Sequence, residues 1–344
     1  MTSTLSRRTA GKRLLLATAA CCVAFGAQAQ NTTLTVSNWL GNNHPVWVAM
    51  TQWSQQVEQA TQGRVKMQAL PKPVATPQGH FNAVRDGLAD VSVTVLGYTP
   101  GRFALSELAE MPLSGLTAEQ NSVALQRIAM KYPPVMNEYK DVKVLALFTH
   151  GPGTVFNSKK EIQSLPDFKG LKFRVGGGII NEVGKLLEVN TALKPATESY
   201  ELLSTGVMDG VFLPFESIAT YKIDKLIRYA TTFPGGLYNS AFLVLMNKKA
   251  YDALPAQDKL ALDKLSGEPF SRSLGRAFDA RDREGRALSQ ASGIKITEAP
   301  PAMVKEIQGR IASLEKTWAD SARAKGLANP EKVLAEFRAE AQKP

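Results

Sequence analysis

Short apolar strands alternate with amphipathic helices along most of this chain. The segments DVSVTVL (90–96), DVKVLALF (141–148) and AFLVLMN (241–247) are near-continuous apolar or β-branched runs, as in buried strands. Between strands, apolar residues recur every three or four positions and form helical stripes, as in Val46, Met50, Trp53, Val57 and Ala60. This alternation predicts an α/β protein with parallel sheets covered by helices. In such folds, ligands bind at the carboxyl ends of the strands.

The N-terminus has the three parts of an export signal. Four basic residues precede an apolar run from Leu14 to Ala27, which is shorter than the roughly 20 residues that span a bilayer. Ala27-Gln28-Ala29 is an A-x-A cleavage motif, so residues 1–29 are expected to be removed and the protein to reach the periplasm. The arginines at 7–8 leave the general and the twin-arginine export routes open, and lipid attachment at a signal cysteine is the less favoured alternative.

The remaining chain has 344 − 29 = 315 residues, which is beyond the size at which one core usually stops growing. Two lobes are therefore expected, and the absence of a linker sequence favours several chain crossings between them. Both cysteines lie in the signal, which excludes disulfides and cysteine ligands from the mature protein. The mature charge, 10 − 4 = +6, comes without the basic blocks of a nucleic-acid-binding protein.

Enzyme signatures are missing from the sequence. A dinucleotide-binding G-x-G-x-x-G would need glycine where Asn181 stands, and no phosphate loop, HExxH or nucleophile elbow is found. The three histidines are not spaced as zinc ligands, so neither metal nor cofactor is expected. Glu107 and Glu110 are expected on a solvated face. A periplasmic enzyme stays open as an alternative.

The stretch KFRVGGGII (172–180) combines three features that favour an anion. Arg174 ends a strand and offers a planar fork that matches a carboxylate. The following glycines, including Gly176, let the backbone approach a ligand, and a helix from Ile179 adds free amides. A surface arginine paired with an acid, followed by a tight turn, is the alternative.

A longer pattern surrounds this stretch. SLPDFKGLKFRVGGG, followed by LKPATESYELLSTGVMDGVFLP, resembles the solute-binding proteins of tripartite ATP-independent periplasmic (TRAP) transporters, in their C4-dicarboxylate-binding branch. The family patterns are D-x-K-G-x-K-x-R and P-x-x-E-x-Y-x-A-L-x-x-G-x-x-D-G. The chain supplies Asp167, Lys169, Gly170, Lys172, Arg174, Pro195, Glu198, Tyr200, Leu203, Gly206, Asp209 and Gly210. The resemblance runs from about residue 32 to about residue 335.

The resemblance implies a two-lobed periplasmic binding protein of type II-like architecture. Each lobe would be a mostly parallel sheet flanked by helices, and a long C-terminal helix would span both lobes. We expect lobe I to contain residues 30–149 and about 238–268, and lobe II residues 150–237 and about 269–344. The family's arginine clamps a ligand carboxylate between the lobes, and the protein passes its ligand to a small and a large membrane subunit. The resemblance implies no enzymatic activity.

One departure from the family pattern bears on the ligand. Where many members have D-G-x-E-N-P, this chain has Phe212 and Leu213 in place of the glutamate and asparagine. If both line the cleft, they favour an organic acid with one carboxylate and an apolar or aromatic body. The alternative is that they pack in the lobe core.

Other candidate ligand-binding residues follow from their positions just after strands. Trp39 offers a ring for stacking, Tyr98 and His150 offer hydrogen-bond donors, and Asn38 and Glu216 offer polar groups. A core tryptophan, a histidine satisfied at the hinge and a helix-start carboxylate are the alternatives for Trp39, His150 and Glu216. The sequence thus predicts a TRAP solute-binding protein, with a binding protein for an ATP-driven importer or a sensor as the first alternative.

Overall fold

The computed structural model describes residues 31–343. The predicted signal, residues 1–29, lies outside the described residues. The strands are β1 (Thr32–Val36), β2 (Val65–Ala69), β3 (Val91–Val95), β4 (Val142–Thr149), β5 (Thr154–Asn157), β6 (Lys172–Val175), β7 (Asn190–Leu193), β8 (Gly210–Leu213), β9 (Tyr229–Thr232), β10 (Ala241–Asn247) and β11 (Lys295–Glu298).

Helices occupy most of the remaining chain. They are α1 (Pro45–Ala60), α2 (His80–Arg85), α3 (Ala118–Lys131), α4 (Pro133–Asn137), α5 (Ile179–Leu186), α6 (Ser199–Ser204), α7 (Glu216–Thr220), α8 (Lys248–Asp252), α9 (Ala256–Leu265), α10 (Glu268–Ala291), α11 (Pro301–Ile311), α12 (Leu314–Ala324) and α13 (Pro330–Ala341). Short 3₁₀ helices include one at Ser106–Glu110. The segment TAEQ (117–120) has the sequence pattern of a capping box and forms one at the start of α3, because the Thr117 and Gln120 side chains each accept from the other residue's backbone amide.

Two sheets form the centres of the two lobes. The lobe I sheet has the order β2-β1-β3-β10-β4, and the lobe II sheet has the order β11-β9-β5-β8-β6-β7. Each sheet contains one reversed strand: β10 is antiparallel to both neighbours in lobe I, and β5 is antiparallel to both neighbours in lobe II. The prediction of two mostly parallel sheets flanked by helices is confirmed. A strand that enters a sheet directly from the other lobe starts at the cleft, and this explains its reversed direction.

Both faces of the lobe I sheet are covered. In β10, Phe242 and Val244 pack into the core that contains the apolar stripe of α1. The intervening Leu243 and Leu245 pack into a second core with α3. The alternation follows from the two-residue period of a strand, and it explains why β10 is apolar throughout.

Three stretches of chain connect the lobes. Residues 150–153 join β4 to β5, residues 233–240 join β9 to β10, and α10 contacts α1 and α3 on one side and α7 and β11 on the other. The predicted long helix is therefore α10, which begins beside Pro269. The apolar residues from Met303 to Trp318 recur at helical spacing, and they belong to two successive helices, α11 and α12. Helix α13 packs against α3, so the lobe II assignment of residues 269–344 stays a prediction.

Helix α10 holds both lobes through two aspartates three residues apart. The Asp279 carboxylate accepts hydrogen bonds from the Ala118 and Glu119 amides at the start of α3, at 2.8 and 3.0 Å. The Asp282 carboxylate accepts from the Glu216 amide at the start of α7, at 2.8 Å. An acidic side chain at a helix N-terminus satisfies free amides and the helix dipole. The same helix thus caps one helix of each lobe.

Glu110 makes another contact between the lobes. Its carboxylate accepts from the Ile179 amide at the start of α5, at 3.0 Å, and from the Ala241 amide of β10, at 2.8 Å. The side chain is 1 % exposed, and burial raises the pKa of Glu110 to about 8. The expectation of a solvated face was wrong for Glu110, because the two amides provide partners inside the protein.

The hinge also contains a buried histidine. His150 Nδ1 lies 2.6 Å from the Gly151 carbonyl oxygen, and the Ser240 amide donates to Nε2 at 3.1 Å. These partners fit a neutral ring that donates from Nδ1 and accepts at Nε2. Burial lowers the pKa of His150 to about 4, and the bond to Gly151 offsets only part of that effect. The ring is therefore neutral throughout the physiological range.

The first prediction concerns acid stability. Because the His150 pKa is about 4 when folded and about 6.5 when unfolded, the unfolded state binds more protons between these values. The free energy of unfolding should fall as pH drops through this window, by about 2 kcal/mol from pH 7 to pH 5 for this one group. Urea unfolding at both pH values, with His150→Gln beside the parent protein, measures the effect. An equal fall in both proteins would contradict the assignment.

Candidate functional site

A cavity lies between the two lobes, where the carboxyl ends of β1, β3, β6 and β8 meet. About 430 Å³ of space lies between the lining atoms, a figure that includes space open to solvent. Its apolar lining consists of Trp39, Leu40, Val95, Ala196, Leu213, Pro214, Phe242 and Phe278. Its polar lining consists of His44, Tyr98, His150, Arg174, Glu216, Ser217, Tyr221, Tyr238 and Ser240, with Gly176 beside them.

Arg174 is the cation of this cavity. Its side chain is 2 % exposed, and Nε donates to the Lys194 carbonyl at 2.7 Å. Weaker contacts of 3.4 Å reach the Phe212 carbonyl and the Tyr98 hydroxyl. Within residues 31–343, no carboxylate oxygen lies within 4.0 Å of the guanidinium. A buried charge without a counter-ion is costly, so an anion in the cavity would complete the site.

Three tyrosine hydroxyls accompany this arginine. The Tyr98 hydroxyl accepts from the Ala196 amide at 2.8 Å, which leaves its own hydrogen free to donate. The Tyr221 and Tyr238 hydroxyls have no hydrogen-bond partner in the described part of the chain. Burial raises the pKa of Tyr221 and Tyr238 well above the usual value. The Tyr221 and Tyr238 hydroxyls therefore stay protonated, and together with the Tyr98 hydroxyl they are donors available to a ligand anion.

His44 adds a further donor on the lobe I side. Its Nδ1 accepts from the Val46 amide at 3.2 Å and caps α1, so the ring hydrogen lies on Nε2. Burial lowers the pKa of His44 to about 3, and the positive charge of Arg281 adds to the effect. The ring meets Phe278 edge-on, with 6.0 Å between centroids. His44 is thus a neutral imidazole beside an aromatic wall.

Glu216 is the carboxyl group of the cavity, and its side chain is fixed. Its two oxygens accept from the Ser217 and Thr220 hydroxyls, each at 2.7 Å, and the residue is 3 % exposed. Burial raises the pKa of Glu216, while the two hydroxyl bonds and Arg281 act in the opposite direction. Among the described residues, no lysine or arginine nitrogen lies within 4.0 Å of its oxygens.

Seven of the nine predicted ligand-binding residues line the cavity, namely Trp39, Tyr98, His150, Arg174, Gly176, Leu213 and Glu216. Trp39 presents only its ring, since Nε1 donates to the Val93 carbonyl at 2.8 Å. Both nitrogens of His150 are bonded to the hinge backbone, so a hydrogen bond from this ring to a ligand stays a prediction that the geometry disfavours.

The other two residues are placed elsewhere. Phe212 is fully buried, with its ring 5.2 Å from that of Phe173 in the lobe core. Asn38 does not line the cavity, and its side chain accepts from the Leu40 amide at 2.9 Å. It therefore shapes the turn that carries Trp39. A ligand contact for Phe212 or Asn38 has no support in this arrangement.

The structure also corrects the expected anion site at α5. The Ile179 amide donates to Glu110, so the first amide of this helix is occupied by the protein's own carboxylate. Gly176 lines the cavity, so its approach to a ligand stays a prediction. Gly177 instead faces the other lobe: a Cβ on Gly97 would come within 2.8 Å of the Gly177 backbone. They allow close approach between the lobes, beside the cavity.

Several cavity residues were not selected from the sequence: His44, Tyr221, Tyr238, Ser240 and Phe278. His44 lies in a loop after β1, so its position after a strand was an available signal. Phe278 lies on α10, and no local pattern separates it from an ordinary core residue.

Across residues 31–343, no cluster of three or more metal-ligating side chains is present. In the same range, no helix has both the length and the apolar character needed to cross a membrane.

Known proteins share this sequence and fold. The family model for bacterial extracellular solute-binding proteins, family 7 (DctP), matches residues 36–321. The protein named outer membrane transporter protein TsaT, from Comamonas testosteroni, is 30 % identical over 332 residues, covering 96 % of this chain and 98 % of that protein.

Two solved structures are similar over almost their whole length. One is a TRAP periplasmic solute-binding protein from Bordetella bronchiseptica with bound (R)- and (S)-mandelate. It is 42 % identical, with a TM-score of 0.88, covering 90 % of this chain and 99 % of that one. The other is a TRAP solute-binding protein from Rhodoferax ferrireducens with copurified benzoate. It is 30 % identical, with a TM-score of 0.84 and coverage of 90 % and 98 %.

The family match covers far more than half of the chain, and the cavity between two sheets agrees with it. It favours the TRAP assignment over an ATP-driven importer. The chain therefore belongs to the bacterial extracellular solute-binding proteins of family 7, the periplasmic solute-binding proteins of TRAP transporters.

Proposed function

We propose that this protein captures an aromatic monocarboxylate by closing its lobes around Arg174. The observation that carries the proposal is the buried guanidinium, which has no carboxylate partner among the described residues and lines the cavity. A ligand carboxylate would accept from its free N–H groups and from Tyr98, and a charge-assisted bond of this kind is stronger than a neutral one. The same group would orient the ligand.

The far walls of the cavity support an aromatic body. Trp39, Leu213, Phe242 and Phe278 surround the space beyond the arginine, and rings of this kind pack against a ligand ring. The similar structures from Bordetella bronchiseptica and Rhodoferax ferrireducens hold mandelate and benzoate, which are aromatic monocarboxylates. We infer the same ligand class here.

Contacts between the lobes support a closed form. The Tyr98 hydroxyl of lobe I bonds the Ala196 amide of lobe II, and Gly97 packs against Gly177. A ligand enclosed in this way is shielded from water, which strengthens its bond to the arginine. Opening of the lobes would admit and release it.

Delivery and location complete the proposal. We infer that residues 1–29 direct export and are cleaved near Ala29-Gln30, and that the protein works in the periplasm, where its family members act. There it would pass its ligand to the small and large TRAP membrane subunits. We propose no catalytic step, because binding and release account for the site.

The second prediction tests the clamp. Arg174→Lys retains a positive charge but loses the bidentate fork, so binding of benzoate or mandelate should weaken by about 2–4 kcal/mol. Isothermal titration calorimetry measures the affinity. Arg228→Lys, an exposed arginine of the same lobe, is the matched control and should bind as the parent does. Undiminished affinity in Arg174→Lys would rule out the clamp.

The third prediction tests the ligand class. A ligand at about 1,000 times its Kd should stabilise the folded protein by about 4 kcal/mol and raise Tm by several degrees. In a thermal-shift screen, benzoate, mandelate and hydroxybenzoates should outrank succinate and malate. If succinate gave the largest shift, the aromatic class would be wrong, although the family assignment would stand.

A further inference from the structure

We propose that Glu216 excludes ligands with a second carboxylate and so limits the cavity to monoanions whose far end is neutral. The inference deepens the proposed function and rests on it. It starts from the ionisable groups of the cavity. Among the described residues, the lining contains one guanidinium, Arg174, and one carboxyl group, Glu216. Arg174 and Glu216 do not form an ion pair within 4.0 Å. The guanidinium can therefore donate to a ligand, and the carboxyl group can accept from it, independently of each other.

Glu216 is held in place from both its backbone and its side chain. The backbone amide donates to Asp282 on α10 at 2.8 Å, and the side chain accepts from Ser217 and Thr220. Behind it, Gly285 of α10 packs so closely on the Phe215 carbonyl that a Cβ there would overlap it. The backbone amide and both carboxyl oxygens of Glu216 are therefore engaged by protein groups.

The partners of Glu216 also define what it can accept. Two hydroxyl donors leave further lone pairs on the carboxyl oxygens, which can accept from a hydroxyl or an amide. Among residues 31–343, no lysine or arginine nitrogen lies within 4.0 Å of this group, and the charge of Arg281 acts on it only from farther away. A second anion would therefore meet Glu216 without a close cation, in a cavity where charges interact more strongly than in water. Repulsion of the wrong ligand is a common source of specificity.

The neighbours of Glu216 agree with this division of the cavity. Tyr221 experiences the negative charge of Glu216 more strongly than the positive charge of Arg174. For Tyr238 the order is reversed, and Arg174 is the strongest charge that acts on it. The Tyr221 ring lies beside that of His44, with 6.2 Å between centroids, and the Tyr238 ring lies beside that of His150, with 5.3 Å between centroids.

The test compares ligands that differ in charge but hardly in shape. Calorimetry is run with benzoate, the three benzenedicarboxylates and their monoamides. We expect at least one monoamide to bind within tenfold of benzoate and its diacid to bind at least 100-fold more weakly. In Glu216→Gln, the factor by which the monoamide binds more tightly than its diacid should become at least tenfold smaller. Glu201→Gln, an exposed glutamate of the same lobe, should leave the ratio unchanged.

Each other outcome overturns the inference. Equal binding of a diacid and its monoamide by the parent protein would show that charge is not discriminated. An unchanged ratio in Glu216→Gln would assign the discrimination to another group, and rejection of all monoamides would assign it to shape. If Glu216→Gln does not fold, Glu216→Ser repeats the comparison. Failure of benzoate and mandelate to bind the parent protein would instead refute the proposed function itself, and the inference with it.

Discussion

The cavity is organised around a positive charge that has been removed from water. Arg174 is held at the end of β6 by the Lys194 carbonyl, and no acid of the described chain neutralises it. The fold accepts the cost of this burial because a ligand carboxylate can offset it. The tyrosine hydroxyls supply further donors for an anion. The close contact between Gly97 and Gly177 brings the lobes together beside the cavity, which limits the access of water.

The other residues of the cavity lining are of two kinds, apolar and polar. Apolar side chains from both lobes would enclose the body of the proposed ligand, while polar groups of the lining would bind its ends. His44 and Tyr221 stay neutral because burial opposes their ionisation. Among the described residues, Glu216 alone brings a carboxyl group into the lining. A site of this kind can discriminate between ligands in two ways: it binds the matching groups of one ligand, and it leaves a charge of the wrong ligand without a partner.

Much of this architecture was predictable from local patterns, since apolar periodicity and the capping box at Thr117 depend on neighbours in sequence. The four-residue strands β5, β7, β9 and β11 were missed because so short a segment carries no clear period, whereas β6 and β8, which are equally short, lie within the family pattern. The family pattern identified Arg174. Phe212 and Leu213 could not both line the cavity, since consecutive strand residues face opposite sides. Phe278 comes from a distant helix, so only the folded chain places it there.

Helix α10 is bonded to both lobes. Asp279 and Asp282 lie within one helical turn, and they cap helices on opposite sides of the cleft. The energy needed to part the lobes is therefore set in part at a turn that does not line the cavity. Since that energy is included in every measured affinity, a change at Asp279, whose partners Ala118 and Glu119 do not line the cavity, would tune how tightly the protein holds its cargo without replacing a group of the cavity lining.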